Sequence, residues 1–389
     1  MSMNETPSGE RLHIGLFGRR NAGKSSLINA ITGQVTAIVS ETPGTTTDPV
    51  SKAMELLPIG PVVFIDTPGM DDENELGALR VARARQVMEK TDIALLVIDA
   101  SVGKNADDEH VAQQLARRNI PFLEVYTKAD LCPSSGVCVS AQTGQGIEEL
   151  KQRIAELATD RKEVPPLVRD LVNPGELVVL VTPIDSAAPK GRLILPQQQT
   201  IRDVLDGDAM AIVCKETELA RTLAALNQKP ALVITDSQAF PQVAAQTPED
   251  VPLTSFSILM ARRKGLLDAA LRGIAAIGTL QDGDTVLICE GCTHHRQCGD
   301  IGSVKLPRWL AGHTQKALTI RLCSGSDFPE DLSGYALVVH CGGCMLNERA
   351  VASRVHLTEA QGVPITNYGT LIADINGILP RSLAVFPAY

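Results

Sequence analysis

One octet constrains this chain more than any other feature. Leu12-His-Ile-Gly-Leu-Phe17 has the pattern of a short buried strand, and Ser26-Leu-Ile-Asn-Ala-Ile31 reads as a helix. Between them lies Gly18-Arg-Arg-Asn-Ala-Gly23-Lys24-Ser25, a G-x-x-x-x-G-K-S loop. Glycines at those positions let backbone N–H groups wrap phosphate oxygens, helped by the start of the helix that follows. Lys24 then reaches β- and γ-phosphates, and the Ser25 hydroxyl binds Mg²⁺. Gly18, Asn21, Ala22, Gly23, Lys24, Ser25 and Ser26 are the candidate phosphate contacts.

Downstream segments extend the pattern. Val62-Val-Phe-Ile65 ends in Asp66-Thr-Pro-Gly69. A carboxylate at that strand end holds Mg²⁺ through water, and the Gly69 N–H senses a γ-phosphate. Pro43-Gly-Thr-Thr-Thr-Asp48 supplies a polar loop, and Ile93–Ile98 a further strand. Leu123-Glu-Val-Tyr126 leads into Thr127-Lys128-Ala129-Asp130, where Asp130 accepts two hydrogen bonds from guanine and the Lys128 stem lies on the base. Val137-Cys-Val-Ser140-Ala141 places a backbone N–H near the guanine oxygen.

In this order the segments resemble the G motifs of small GTPases of the translation-factor class, and Gly44–Asp48 is similar to the switch I of the Era/MnmE-like branch. The resemblance implies GTP and Mg²⁺ as cofactors and GTP hydrolysis as the activity. It makes Thr46 the switch threonine that joins Ser25 on Mg²⁺, and Lys24, Thr46 and Gly69 the catalytic contacts. Thr127 stands where asparagine is usual. Met70 follows Gly69, where Ras-like GTPases carry a water-orienting glutamine. Methionine cannot polarise water, so slow hydrolysis is expected unless another charge assists. Asn21 sits where potassium-activated members of this branch hold K⁺, so the resemblance implies K⁺ in place of an arginine finger.

Ile147, Leu150, Ile154 and Leu157 have helical spacing and close this first domain, residues 1–162. Arg161-Lys-Glu-Val-Pro-Pro166 reads as a linker. Residues 167–260 alternate strands (Glu176–Val181, Ala209–Val213, Ala231–Ile234) with helices (Gln197–Leu205, Glu216–Leu226), the pattern of a parallel α/β sheet. This stretch carries no phosphate loop or metal spacing. Asp185, Lys190 and Arg192 read as solvated loop charges, Cys214 as a buried small residue, and the domain as one that makes a homodimer.

In residues 261–389, Arg262-Arg-Lys-Gly265 reads as the start of a helix over Leu266–Ile277. A strand, Asp284–Ile288, runs into Cys289-Glu-Gly-Cys292-Thr-His294-His-Arg-Gln-Cys298-Gly-Asp300. A second strand, Tyr335–Val339, runs into His340-Cys341-Gly-Gly-Cys344, with 48 residues between Cys292 and Cys341. Neighbouring parallel strands bring both segments to one sheet edge, where open α/β sheets bind ligands. From the residues alone, the C-x-x-C pairs 289/292 and 341/344 suggest a Cys₄ zinc site.

Cys292-x-His294 with His340-Cys341-x-x-Cys344 also resembles the C-x-H…H-C-x-x-C signature of the FeFe-hydrogenase maturation GTPases. That resemblance covers essentially the whole chain. It implies a 4Fe-4S cluster on Cys292, Cys341 and Cys344, with His294, His340 or Asp300 as the fourth ligand. Cys289 and Cys298 fall outside the motif. It also implies a scaffold that takes a two-iron precursor from radical-SAM maturases and passes it to apo-hydrogenase. The fold expected is α/β throughout: a P-loop GTPase domain followed by two smaller α/β domains with parallel sheets.

Composition narrows the rivals. Net charge of −9 and 3% aromatics weigh against nucleic acid as a partner, and hence against an Era-like GTPase with a zinc site working on RNA or ribosomes. A metabolic enzyme activating its substrate on an open iron corner ranks last, because the middle stretch shows no substrate motif. The polar start and the lack of a roughly 18-residue apolar run point to the cytoplasm with no membrane span. There, nine cysteines suit metal better than disulfides.

Overall fold

A computed structural model describes residues 6–33, 50–69, 75–131, 136–159, 164–184, 191, 193–291, 300–325 and 327–387. Thr46, Met70, Asp185, Lys190, Arg192, Cys292, His294 and Cys298 lie outside the described residues. The chain forms two compact units, residues 1–163 and 164–389.

The first unit is a six-stranded sheet in the order β2-β3-β1-β4-β5-β6. Its strands are β1 (Leu12–Phe17), β2 (Val50–Leu56), β3 (Gly60–Asp66), β4 (Ile93–Asp99), β5 (Phe122–Thr127) and β6 (Val137–Cys138). All pair in parallel except β2, which runs antiparallel to β3 at the edge. β1 and β4 are buried along their whole length, as uninterrupted apolar strands in a parallel sheet must be. The helices are α1 (Lys24–Thr32), α2 (Glu75–Lys90), α3 (Ala106–Arg117) and α4 (Ile147–Thr159). Asn105 starts α3 with a capping box: its side chain accepts from Asp107 and Asp108 N–H, and Asp108 returns a bond to the Asn105 N–H. α4 buries Ile147, Leu150 and Ile154, as its spacing requires.

The second unit holds two four-stranded parallel sheets. The first, in the order β10-β9-β7-β8, uses β7 (Leu177–Val181), β8 (Met210–Cys214), β9 (Leu232–Thr235) and β10 (Leu253–Ser255). Helices α5 (Leu195–Asp206), α6 (Leu219–Ala225), α7 (Phe240–Gln246) and α8 (Phe256–Arg263) accompany it. The second sheet, β12-β11-β13-β14, uses β11 (Thr285–Glu290), β12 (Thr319–Ser324), β13 (Leu337–His340) and β14 (Ile365–Asn367). Its helices are α9 (Leu267–Ile277), α10 (Leu306–Thr314), α11 (Glu348–Ala360), α12 (Tyr368–Ile375) and α13 (Leu379–Leu383). Apolar residues of both sheets join one core, from Val179 and Ile234 to Val286 and Val338.

The basic cluster is placed differently from the sequence expectation. Arg262 and Arg263 end α8 rather than start α9, where cations complement the helix dipole. Arg262 pairs with Asp170 and lies over the Phe386 ring, 5.4 Å from its centroid. Lys264 is fully buried and pairs with Glu348 at 2.9 Å. These two charges therefore lock the unit internally. Cys214 ends β8 as a buried thiol, as expected.

Candidate functional site

The loop after β1 carries the phosphate-binding geometry. Gly18 has φ 145°, and a Cβ there would stand 2.3 Å from the Val97 carbonyl oxygen, so only glycine fits against β4. Asn21 adopts a left-handed φ of 61°, a conformation asparagine tolerates better than most residues. Lys24 opens α1, and its Nζ donates to the Gly18 and Arg19 carbonyls at 2.9 and 2.7 Å. The ammonium is thus folded over the loop mouth. Ser25 Oγ donates to Asp66 Oδ2. Burial raises the Asp66 carboxyl above its ordinary range, against the pull of Ser25 and the Lys24 ammonium. Asp66 Oδ1 is buried without a hydrogen-bond partner. A desolvated, half-satisfied carboxylate beside a serine hydroxyl fits Mg²⁺ held by Ser25 and, through water, by Asp66.

A cleft of about 670 Å³ opens beside this loop. Gly23, Ser26, Thr127, Lys128, Asp130 and Ser140 line it, and Ala141 with them. Asp130 and Lys128 therefore face the same space as the phosphate loop, as a nucleotide requires. Thr127 also replaces asparagine without loosening this end of the sheet. Its Oγ lies 2.7 Å from the Ala22 carbonyl, to which it donates, and 3.1 Å from that of Ile98. The hydroxyl ties the base side of the cleft to the phosphate loop.

In the second unit, the ends of the parallel strands gather the C-terminal thiols. β11 and β13 are neighbours, and Cys289 pairs in register with His340. Cys341 follows at the end of β13, and its Sγ accepts from the Gly291 N–H at 3.0 Å and the Gly343 N–H at 3.3 Å. Gly343 makes this turn possible with φ 66°, and a Cβ there would press on Val351 at 3.2 Å. Burial pushes the Cys341 thiol up, and the two N–H bonds offset this only in part. Such donors suit a sulfur that carries negative charge, as a metal-bound thiolate does. β11 ends at Glu290, and the Gly291 that follows it reaches this edge through its N–H to the Cys341 sulfur. Tyr368, at the start of α12, has its hydroxyl buried and unpartnered. Burial raises its pKa far above the usual phenol value, and negative charge on Cys341 and Glu290 adds to this. A sulfur held by two backbone N–H groups fits the thiolate ligand of an iron–sulfur cluster, whose negative charge those donors would offset.

His340 is committed elsewhere. It is fully buried, its Nε2 accepts from Arg354 at 2.9 Å, and its Nδ1 donates to the Cys341 carbonyl at 2.7 Å. Burial, then the Arg354 charge, holds its pKa down at about 3. Both ring nitrogens are used, so as placed His340 supports the Cys341 turn from beside it instead of acting as a ligand. One Asp300 carboxylate oxygen is likewise taken, by the N–H and hydroxyl of Ser303. Arg354 also donates to the Gly325 carbonyl and lies 5.0 Å from the Phe328 ring centroid. Arg354→Ala is expected to cost roughly 3 kcal/mol, since it strands the buried His340 nitrogen and the half-buried Gly325 carbonyl. Chemical unfolding of the variant measures this, and unchanged stability would contradict the network's role.

The sequence did not single out Cys323, Arg354 or Tyr368. Cys323 lies on the edge strand β12, in register with Cys289 and 34 residues from it. Burial raises the Cys289 thiol, and its hydrogen bond to Cys323 brings the Cys323 thiol down. Among the described residues, no group of three or more His, Cys, Asp or Glu side chains is placed to hold a metal ion. Cys292 and His294 are not among them.

Comparison with known proteins covers the chain in three parts. Residues 13–128 match the 50S ribosome-binding GTPase domain. Residues 167–265 match the hydrogen maturase F dimerization domain, and residues 268–385 the hydrogen maturase F tetramerization domain. GTPase Der of Kosmotoga olearia is 39% identical over 127 residues, covering 31% of this chain and 28% of the relative. The tRNA modification GTPase MnmE of Nitrosospira multiformis is 33% identical over 161 residues, covering 38% and 35%. The chain thus spans only about a third of these relatives' length. A solved structure of Aquifex aeolicus Era aligns with a TM-score of 0.36 at 20% identity, covering 52% of this chain and 93% of Era. With the two hydrogen maturase domains in order behind a GTPase domain, the chain belongs to the hydrogen maturase F family.

Proposed function

We propose that this chain is a GTP-hydrolysing iron–sulfur scaffold that assembles the two-iron unit of FeFe-hydrogenase and delivers it to the apoprotein. The observation that carries this reading is the Cys341 turn, whose sulfur sits under two backbone N–H groups at the strand edge that β11 also reaches. Cys292, Cys341 and Cys344 would hold a 4Fe-4S cluster, which supplies a redox-active anchor with one iron open to a weaker ligand. His294 is the candidate for that position, with Asp300 as the alternative.

In the first unit, Lys24 and the Gly69 N–H contact the transferred phosphate, Ser25 and Thr46 hold Mg²⁺, and Asp130 selects guanine. Gly18, Asn21, Ala22, Gly23 and Ser26 line the phosphates, while Thr127, Lys128, Ser140 and Ala141 line the base. GTP hydrolysis times the hand-over and does no chemistry on the cargo. The chain works as an oligomer in the cytoplasm, where radical-SAM maturases load it. The family's dimerization and tetramerization domains support assembly. No helix among the described residues is long and apolar enough to cross a membrane.

K⁺ is proposed as the cation at Asn21. GTP turnover is expected to be at least several-fold faster in KCl than in NaCl, and Asn21→Ala should remove the difference. Equal rates in the two salts would remove the assignment. The wider function is tested by loading the reconstituted protein with the two-iron unit and adding apo-hydrogenase. Activation is expected; failure to activate, with tight RNA binding instead, would overturn the proposal.

A further inference from the structure

The cluster thiolates leave Cys289 and Cys323 unused. The two residues are register partners on the parallel strands β11 and β12. Their side chains therefore leave the same face of the sheet. Strands in a sheet stand about 4.8 Å apart. That lies within the Cα separation a disulfide spans, roughly 4.4–6.8 Å. The two sulfurs are already 2.8 Å apart. Both thiols are buried, Cys289 completely and Cys323 with 8% exposure. Burying two thiols in contact at a strand end is not needed for packing alone, since alanine or valine would fill the same layer.

We propose that Cys289 and Cys323 form a redox-active dithiol, a modification site that a low-molecular-weight disulfide such as glutathione disulfide closes to an internal disulfide. Cys323, the more exposed thiol, attacks one sulfur of the small disulfide and expels one small thiolate. Cys289 then gives up its proton and attacks the Cys323 sulfur of the mixed disulfide, expelling the second. The protein loses two hydrogens as one S–S bond forms, and the small disulfide is reduced to two small thiols.

The pair adjoins the cluster edge but is separate from it. The Cys289 carbonyl accepts from the Cys341 N–H at 2.9 Å, so β11 joins the two features. Among the described residues, in contrast, the Cys341 sulfur is held by the Gly291 and Gly343 N–H groups and not by another thiol. Oxidation therefore takes the 289/323 pair, staples β12 to β11, and leaves Cys341 and Cys344 reduced. The inference stands on the placement of this pair and holds whether or not the three-cysteine cluster is bound, whereas a Cys₄ zinc site that used Cys289 would exclude it.

The test uses the full chain. It is treated with glutathione disulfide, its remaining thiols are alkylated under denaturing conditions, and it is digested with trypsin and a glutamyl endopeptidase. Cleavage after Glu290 and Glu330 separates Cys289 from Cys292, and Cys323 from Cys341. The expected product is a cross-linked peptide pair joining Cys289 to Cys323, reversed by dithiothreitol and free of bound glutathione. Cys289→Ser should instead leave glutathione attached to Cys323. Finding both residues alkylated, or a Cys341–Cys344 bridge in place of theirs, would overturn the proposal. The map of the unaltered chain decides this even if a variant fails to fold.

Discussion

Lys24→Ala is expected to lower GTP turnover by roughly 10²–10³-fold, the usual loss when a preorganised donor to developing charge is removed. Lys24 opens α1, and its ammonium already rests on the Gly18 and Arg19 carbonyls at the loop mouth. From there a short swing of the side chain brings it onto β- and γ-phosphate oxygens. Alanine removes that cation while leaving the α1 backbone intact, because alanine is the best helix former. Phosphate release at saturating GTP and Mg²⁺ measures the effect. Iron binding should not change, since the proposed cluster cysteines, Cys292, Cys341 and Cys344, lie in the second compact unit. Turnover equal to that of the unaltered chain would show that Lys24 is not a phosphate contact.

Cys341→Ala should abolish stable iron loading, and Cys344→Ala should do the same, with GTP turnover in both variants within about twofold of normal. Removing a thiolate from a three-thiolate set leaves too few strong ligands to retain a cluster. Cys341 has the larger structural share, because its sulfur is the acceptor for Gly291 and Gly343 N–H and so organises the turn. Its variant should therefore also lose some stability, whereas Cys344→Ala should affect iron alone. Cys214→Ala, in the other sheet of the unit, is the control and should load normally. Full iron content in Cys341→Ala after anaerobic reconstitution would contradict the assignment.

The phosphate loop was legible from sequence because its backbone admits few residues: Gly18 abuts the Val97 carbonyl and cannot carry a side chain. The strands β1, β4 and β7 were legible as unbroken apolar runs, and the pairing of β11 with β13 followed from ligand-rich ends on both. β12 was missed for the opposite reason. Thr319, Arg321 and Leu322 are exposed on a sheet edge, so the segment Thr-Ile-Arg-Leu-Cys-Ser shows no clean alternation. β2 is another edge strand of the same kind.

Long-range side-chain contacts escaped the sequence. Arg262 looked like a surface charge at a helix start, but its partner Asp170 is 92 residues away. Cys323 has no nearby cysteine in the chain and gains its meaning only from the register with Cys289. His340 was read as a possible ligand because it adjoins Cys341. Whether a histidine ligates depends on what its two nitrogens face, and here they face Arg354 and a carbonyl.

The central claim is that a GTPase and a three-cysteine iron–sulfur site share one chain. Metal analysis of the anaerobically reconstituted protein, paired with electron paramagnetic resonance after reduction, tests it most directly. The account predicts about four irons per chain, the signal of a reduced 4Fe-4S cluster, and loss of both in Cys344→Ala. One tightly held zinc per chain with no such signal would contradict it.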